Sequence, residues 1–451
     1  MGLPKDRTRP HKDSSLIPDH LITITVEKLV DGGVGLGRWE GRAVFVPGTC
    51  PGETVRVRIT SVKKGYAEAR LESVLKPSPD RIPPPCPVFG KCGGCQWQQL
   101  AYPAQIEAKV GILREDLRRI GKITDPNILS PRRAPDPFEY RTRIQLKTDL
   151  TTNKPRIGFF AGTSHRIVPI ERCPIAAPQL NQALAALRLI LGDPAIQPSS
   201  LTDLHLHLAR ATGEFQVRYF AEHEPQDRME KLFTSVEAAV TNVVSQVYHS
   251  RTGHRWIRGR DYLVDRYLEI PFRISDRSFA QVHWEQIPRL IETVQTFASL
   301  NGKESILELH CGIGTFGIFL AREAASLVGF DENEVAVQDA NFNARQQGLT
   351  NCTFAAKPVE HAVSDLAEEK KTFDCVVLDP PREGVDRRTL ESLIRLNPSR
   401  IVYVSCNPAT LARDLKILID GGFRPGRIQP IDLFPQTYHL ETVAEMIRTS
   451  P

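Results

Sequence analysis

The sequence predicts an α/β protein whose C-terminal part is a doubly wound domain. From about residue 303 onward, short apolar strands alternate with helical segments, which is typical of a sheet whose strands are connected by helices. A glycine-rich turn follows the first of these strands, and acidic or thiol side chains follow later ones. The four strand candidates are 306–309, 327–330, 375–378 and 401–405.

The composition limits the class of protein. Of the 451 residues, 41% are apolar and 25% charged, which excludes a disordered, collagen-like or coiled-coil chain and suggests about three domains. No run approaches the roughly 18 apolar residues of a membrane span. The nine Cys do not suit a small disulfide scaffold in a chain this long, and no apolar leader follows Met1. We therefore expect a cytoplasmic protein with reduced cysteines and no membrane contact.

Residues 21–77 are predicted to form a small β-barrel after a flexible tail, residues 1–20. Strand-like runs at 21–26, 43–46 and 53–60 are separated by glycine turns. Residues 1–76 hold 13 Lys and Arg against 9 Asp and Glu, so most of the net charge of +5 lies here. This charge is either an ordinary solvated surface or one that attracts phosphate backbones.

Residues 78–270 are predicted to form a mixed α+β central domain. Apolar residues recur at spacings of three and four near its start, so a helix at 100–121 is expected, which could pack on the C-terminal domain. Strand-like runs follow at 140–148, 156–160 and 214–220, with a helix near 176–191.

The first strand of the C-terminal domain runs into the turn Gly312-Ile313-Gly314-Thr315-Phe316-Gly317, and Asp331 ends the next strand. Glycines let the backbone approach a ligand, and such an acid accepts hydrogen bonds from ribose hydroxyls. An ordinary strand–helix turn and the dinucleotide site of a dehydrogenase share this pattern. The sequence Glu308-Leu309-His310-Cys311-Gly312-Ile313-Gly314 is more similar to the S-adenosylmethionine loop of class I methyltransferases.

Three further side chains are candidates for chemistry. Asp379 and Cys406 each follow a strand candidate, at the edge where open α/β sheets bind ligands. Glu441 lies among apolar residues near the C-terminus. A proline-rich turn, a buried structural cysteine and a solvated glutamate are the alternatives for the three taken singly. Together they suggest a nucleophile and a base.

These motifs resemble those of the RNA uracil-C5 methyltransferases. The matching segments are Phe279-Ala280-Gln281-Val282, Asp379-Pro380-Pro381-Arg382, Ser405-Cys406-Asn407-Pro408 and His439-Leu440-Glu441-Thr442-Val443. Residues 21–76 resemble a TRAM domain, which is an OB-like barrel. The resemblance covers most of the chain. It implies a class I methyltransferase (Rossmann-like) domain at residues 271–451.

The resemblance also implies roles for single residues. Cys406 would be the nucleophile that adds to carbon 6 of uracil, and Glu441 the base that removes the proton from carbon 5. The S-adenosylmethionine pocket would be lined by Gln281, His310, Gly312, Gly314, Asp331 and Asp379. The RNA cytosine-C5 enzymes carry a second cysteine beside the Asp-Pro-Pro-like motif, and its absence from residues 379–382 favours uracil.

Four more cysteines, Cys86, Cys92, Cys95 and Cys173, are candidate metal ligands. Four thiolates suit zinc or an iron–sulfur cluster. A zinc ribbon usually has two C-x2-C pairs, whereas only one pair is present here. The resemblance to the ribosomal-RNA branch of the family implies a [4Fe-4S] cluster.

Three departures from the family pattern bear on cofactor affinity. His310 stands where the family usually has Tyr or Phe, His283 replaces an Asn, and Pro358 lies where some members offer a polar contact.

The predicted substrate is a uridine in 23S ribosomal RNA. The alternatives are a uridine in the T-loop of transfer RNA, or an RNA-binding or folding factor that has lost catalysis. No protein partner is implied, so a monomer is expected.

Overall fold

The computed structural model describes residues 16–151, 155–162, 164–196, 198 and 200–449. Most of the predicted tail, residues 1–15, lies outside the described residues. The described residues form two compact units, one of residues 16–83 with 99–101 and one of residues 84–98 with 102–449. In this part of the chain, every helix is too short or too polar to cross a membrane.

The first unit is a closed five-stranded barrel, as the sequence predicts. Its strands, in the order β1-β2-β3-β5-β4 around the barrel, are β1 (Leu21–Leu29), β2 (Gly35–Trp39), β3 (Arg42–Val46), β4 (Thr54–Val62) and β5 (Tyr66–Lys76). A 3-10 turn spans Asp31–Gly33. Alternate residues of β4 point inward, so Val55, Val57 and Ile59 are buried. Gly37 must lack a side chain, because a Cβ there would lie 2.5 Å from the Thr25 carbonyl oxygen of the neighbouring strand.

The first element of the second unit is a helix. The strands β7 to β13 then form a seven-stranded sheet of order β13-β12-β11-β10-β7-β8-β9. Helices α2 and α3 share one core with this sheet. The elements are α1 (Tyr102–Arg119), β6 (Asn127–Ile128), β7 (Arg143–Asp149), β8 (Arg156–Phe160), β9 (Ile167–Pro169), α2 (Pro178–Ile190), β10 (Leu201–Leu208), β11 (Phe215–Ala221), α3 (Gln226–Ala239), β12 (Val243–Ser250) and β13 (Arg255–Gly259).

The second half of this unit is a doubly wound domain. A hairpin, β14 (Tyr262–Tyr267) and β15 (Ile270–Ser275), leads into an eight-stranded sheet of order β18-β17-β16-β19-β20-β22-β21-β6. The remaining elements are α4 (Ile287–Ala298), β16 (Ser305–Leu309), α5 (Gly317–Leu320), β17 (Ser326–Asp331), α6 (Glu334–Gln346), β18 (Cys352–Ala356), α7 (Val359–Glu368), β19 (Cys375–Leu378), α8 (Arg387–Leu396), β20 (Arg400–Ser405), α9 (Pro408–Asp420), β21 (Phe423–Ile431) and β22 (Glu441–Arg448).

The eight-stranded sheet is parallel from β18 to β20, whereas β22 runs antiparallel to both β20 and β21. All four strand candidates of the sequence are strands of this sheet. Helix α1 is joined to it, because Leu113 and Leu117 are buried in the same core as Leu411 and Leu415 of α9.

Candidate active site

The register of the sheet brings the predicted catalytic and cofactor residues to one edge. Leu309 at the end of β16 pairs with Phe330 of β17 and with Leu378 of β19, so the residues after these strands lie side by side. Ser405, the last residue of β20, pairs with Thr442. Because β22 is antiparallel, its first residue comes to the edge where the parallel strands end. His310, Asp331, Asp379, Cys406 and Glu441 therefore meet there.

The glycine turn is fixed by the carboxylate of Asp331. The Gly312 N–H donates to Asp331 Oδ2 at 2.9 Å, and the Asn333 N–H donates to Oδ1 at 2.8 Å. Each oxygen keeps a lone pair for a further donor such as a ribose hydroxyl. Gly312 and Gly314 both have positive φ, and no atom lies within 4 Å of where a Cβ of Gly312 would be. A ligand can approach the backbone closely at this point.

The buried carboxyl group of Glu308 holds the end of the glycine turn. Its function was not predicted from the sequence. Glu308 is 1% exposed, and its Oε1 accepts from the Gly317 N–H at 3.1 Å. A Cβ at Gly317 would lie 2.2 Å from Glu308 Oε2, so only glycine fits there. Burial raises the pKa of Glu308 to about 8. The acid in an otherwise apolar strand was the available sequence signal.

Cys406 lies between the end of β20 and the start of α9. The side chain of Asn407 caps the helix by accepting from the Ala409 N–H at 3.0 Å, and its amide donates to the Arg382 carbonyl at 3.1 Å. Burial raises the pKa of the Cys406 thiol to about 12, with further increases from Glu441 and Asp379 and an opposing effect of Arg382. In these surroundings the sulfur holds its proton.

The carboxylates beside Cys406 also favour their protonated forms. Glu441 is 2% exposed, and burial and the neighbouring Asp379 raise its pKa well above the usual value. Burial and the charge of Asp331 raise the pKa of Asp379 to about 7. A positive ligand beside this cluster would lower each of these pKa values. The cluster therefore suits a cationic cofactor such as a sulfonium.

Two basic groups complete the edge. Arg382 Nη2 and His439 Nε2 are 3.2 Å apart. Burial and the Arg382 guanidinium lower the pKa of His439 to about 4, so the imidazole is neutral. Both belong to motifs noted in the sequence, but neither was assigned a role there.

The segment that carries Gln281 is tied to helix α6 and to its N-cap residue, Asn333. The hydroxyls of Ser275 and Ser278 donate to the carboxylate of Asp339 at 2.8 and 2.6 Å, and the Asn333 amide donates to the Arg277 carbonyl at 2.9 Å. Gln281 itself is partly buried. His283 is fully buried and stacks on Tyr140, with ring centroids 4.5 Å apart, and burial lowers its pKa to about 3.

The four predicted metal ligands line one cavity of about 220 Å³, together with Arg141 and Arg172. None of Cys86, Cys92, Cys95 and Cys173 forms a disulfide. Burial raises the pKa of Cys95 to about 12 and also raises those of Cys92 and Cys173. Within the described ranges, no three metal-binding side chains converge on a point that would hold a single ion.

Comparisons with known proteins identify the family of the chain. A family described as tRNA (uracil-5-)-methyltransferase matches residues 101–448, and the TRAM domain matches residues 21–71. An uncharacterized RNA methyltransferase of Halalkalibacterium halodurans is 34% identical, over 94% of this chain and 96% of that protein. One from Gloeobacter violaceus is also 34% identical, over 98% and 99%.

A solved structure is similar over nearly the whole chain. It is the Pyrococcus abyssi tRNA (uracil-54, C5)-methyltransferase in complex with S-adenosyl-L-homocysteine, with a TM-score of 0.74 and 28% identity, covering 94% of this chain and 100% of that one. The cysteine and the carboxylates at the sheet edge are consistent with these matches. The chain belongs to the RNA uracil-5-methyltransferase family and is an S-adenosylmethionine-dependent RNA (uracil-C5)-methyltransferase with an N-terminal TRAM domain.

Proposed function

We propose that the protein methylates carbon 5 of a uridine in 23S ribosomal RNA, with Cys406 as nucleophile and Glu441 as base. The observation that carries the catalytic part is the convergence of Cys406, Glu441 and Asp379 at one sheet edge. The choice of ribosomal RNA is supported by the barrel together with the four-cysteine cavity, since this combination resembles the ribosomal-RNA branch of the family.

The reaction begins when the Cys406 thiol loses its proton and the thiolate adds to carbon 6 of the uracil. Carbon 5 thereby becomes nucleophilic and would take the methyl group, with S-adenosylhomocysteine as the leaving group. Bound S-adenosylmethionine supplies an electrophilic methyl group, and its positive charge favours the ionised forms of Cys406 and of the carboxylates. Glu441 then takes the proton from carbon 5, the bond between carbon 6 and sulfur breaks, and Cys406 leaves as a thiolate.

The remaining predicted residues would bind and orient the cofactor. Asp331 has lone pairs for ribose hydroxyls, Gly312 and Gly314 allow close backbone approach, and His310 offers a ring beside the turn. Gln281 would contribute from the tethered segment. Asp379 lies between the cofactor residues and the nucleophile and would face both. The target uracil must leave its stack to reach Cys406, by base flipping or because it lies in a loop.

Cys86, Cys92, Cys95 and Cys173 would hold a [4Fe-4S] cluster. The resemblance to the ribosomal-RNA branch of the family supports this assignment, and the four thiols line one cavity. Its role would be structural or in RNA binding, because methyl transfer requires no electron. Anaerobic purification followed by iron and sulfide analysis tests the assignment, and stoichiometric zinc without sulfide would refute it.

A transfer RNA T-loop uridine is the second candidate substrate. It is favoured by the similarity to the Pyrococcus abyssi enzyme, whose name assigns it to uracil 54 of tRNA. Mass-spectrometric mapping of 5-methyluridine in both RNAs from a deletion strain decides between them. Loss of one modified site in 23S RNA supports the first candidate, loss in transfer RNA supports the second, and unchanged modification of both refutes both.

The proposal includes a monomeric protein in the cytoplasm. Reduced thiols at Cys406 and in the four-cysteine cavity suit a reducing compartment. Light scattering on the purified protein and fractionation of cells test these two points.

A further inference from the structure

The loop between β21 and β22 leads directly into Glu441, and its backbone is held in an unusual shape. Gln436 has a φ of 69° although it is not glycine, which is the left-handed region that disfavours side chains with a Cβ. Gln436 is 3% exposed. Such a conformation persists only where surrounding contacts stabilise it.

The contacts come from one side chain and one chain segment. The Gln436 N–H donates to Gln105 Oε1 at 3.0 Å, and Gln105 Nε2 donates to Gln436 Oε1 at 3.0 Å. The Gln436 carbonyl accepts from the N–H groups of Gln96 and Trp97 at 3.1 and 3.0 Å. Gln105 Nε2 also lies 3.0 Å from the Trp97 carbonyl. Gln436 is thus fixed on both its backbone and its side chain.

The segment that holds Gln436 is also a wall of the cysteine cavity. Gln96 and Trp97 directly follow Cys95, and Gln98 lines the cavity and accepts from the Cys86 N–H at 3.2 Å. Residues 95–98 therefore contact the cavity through Cys95 and Gln98. They contact the loop between β21 and β22, the catalytic loop, through Gln96 and Trp97.

The start of the same loop is held by helix α1. Lys109 and Asp432 form an ion pair at 2.6 Å with both side chains fully buried, and Lys109 Nζ also donates to the Phe434 carbonyl at 3.0 Å.

By contrast, Glu441 Oε1 is buried and has no hydrogen-bond partner among the described side chains and backbone. The position of its carboxylate is therefore set by the backbone of β22 and of the loop before it.

We propose that Gln105 and Gln436 are positioning residues, which couple the conformation of the cysteine segment 95–98 to the placement of Glu441. This inference rests on the proposed role of Glu441 as the base. Disturbing either the amide pair or the cysteine segment displaces the loop and slows proton removal from carbon 5. Addition of Cys406 and methyl transfer precede that step, so the covalent protein–RNA adduct accumulates.

The first test compares Gln105→Leu with Gln246→Leu. Gln246 of β12 is also a fully buried amide, but it bonds to Tyr219 of β11 and to the Phe233 carbonyl of helix α3. Gln105→Leu is expected to lower kcat about 10- to 100-fold with unchanged KM for RNA, and to raise the adduct fraction on denaturing gels, whereas Gln246→Leu changes neither. A folded Gln105→Leu protein with normal kcat, or with a lower kcat and no adduct, would overturn the proposal.

The second test does not depend on activity. Amide hydrogen exchange is measured across residues 432–441 in the anaerobically purified protein and in its Cys95→Ser and Cys352→Ser variants, Cys352 being a buried cysteine outside the cavity. We expect faster exchange of the loop in Cys95→Ser only, with β16 unchanged as an internal reference. Equal loop protection in all three proteins refutes the coupling. A wild-type protein that shows the coupling but methylates no RNA instead refutes the proposed function.

Discussion

Cys406 and the four cysteines of the cavity are similarly buried but have different neighbours. Burial raises the pKa of Cys406 and of Cys95 to about 12 alike. Cys406 is a single thiol among carboxylates. After burial, Glu441 and Asp379 have the largest effects on its pKa. Cys95 shares a cavity with three other thiols and with Arg141 and Arg172. Burial is therefore common to both groups, and the number and charge of the neighbours distinguish them.

The difference teaches what each group needs in order to ionise. Four thiols around one cavity become thiolates when metal ions bind them. A lone thiol among carboxylates can become a thiolate when a positive charge arrives beside those carboxylates. Under the proposed function, a metal cluster would complete the first site permanently, and the sulfonium of S-adenosylmethionine would complete the second only during turnover. The following predictions test this contrast, beginning with the largest expected effect.

Cys406→Ala is expected to abolish methyl transfer, a loss of at least about 10⁴-fold. Cys406 is the thiol beside Glu441 and Asp379, whereas Cys311, which also follows a strand at this edge, is buried. Radiolabelled methyl incorporation into RNA measures this loss. The iron content should equal that of the wild type, since the cysteine cavity is untouched. Residual activity near the wild-type level would contradict the assignment of the nucleophile.

Glu441→Gln is expected to lower turnover by about 10²–10⁴-fold, the usual contribution of a general base. Unlike Cys406→Ala, this variant should still add to carbon 6, so a covalent protein–RNA adduct should appear on denaturing gels. A variant with lower turnover and no adduct would indicate that Glu441 acts before the addition step.

Cys95→Ser is expected to lose most bound iron and to lower the melting temperature, because metal binding contributes to folding stability. We expect a smaller fall in activity, about tenfold, through the loop that carries Glu441. Iron analysis and calorimetry measure the first two effects. Full iron content would show that Cys95 is no ligand.

Cofactor affinity is expected to depend on pH through Asp379. Because burial and Asp331 raise its pKa to about 7 in the free protein, Asp379 must release a proton below pH 7 when a cation binds. Affinity for S-adenosylmethionine should therefore fall up to about tenfold per pH unit below 7 and level off above it. Titration calorimetry from pH 5.5 to 8.5 measures this. Asp379→Asn should flatten the profile, and an equally steep profile in that variant would assign the proton elsewhere, with Glu441 the next candidate.

The sequence predicted the strands that form the sheet edge, because Asp379 and Cys406 follow apolar runs and a glycine turn follows the first strand. The functions of these residues were predicted from the family resemblance, since local pattern left alternatives for each residue taken singly. The seven-stranded sheet was only partly predicted. Strand β11 was expected from the run at 214–220, whereas β10 was not, because the buried polar residue His207 interrupts its apolar alternation.

The contacts of the catalytic loop had no sequence signal at all. Gln105 and Gln436 are 331 residues apart, and Lys109 and Asp432 are 323 apart. Each pair joins a residue of helix α1 to a residue of the loop between β21 and β22. The sequence around each of these residues would look the same if the contact did not exist. Only the fold brings them together.

Trapping of the covalent intermediate tests the central claim most directly. An RNA that the wild-type protein methylates is prepared with 5-fluorouridine in place of uridine. Glu441 cannot remove fluorine as it removes a proton, so the bond between carbon 6 and sulfur should persist. Mass spectrometry of the digested complex should find a methylated fluorouridine on Cys406. An adduct on any other cysteine, or methylation of the unmodified RNA without any trapped adduct, would contradict the account.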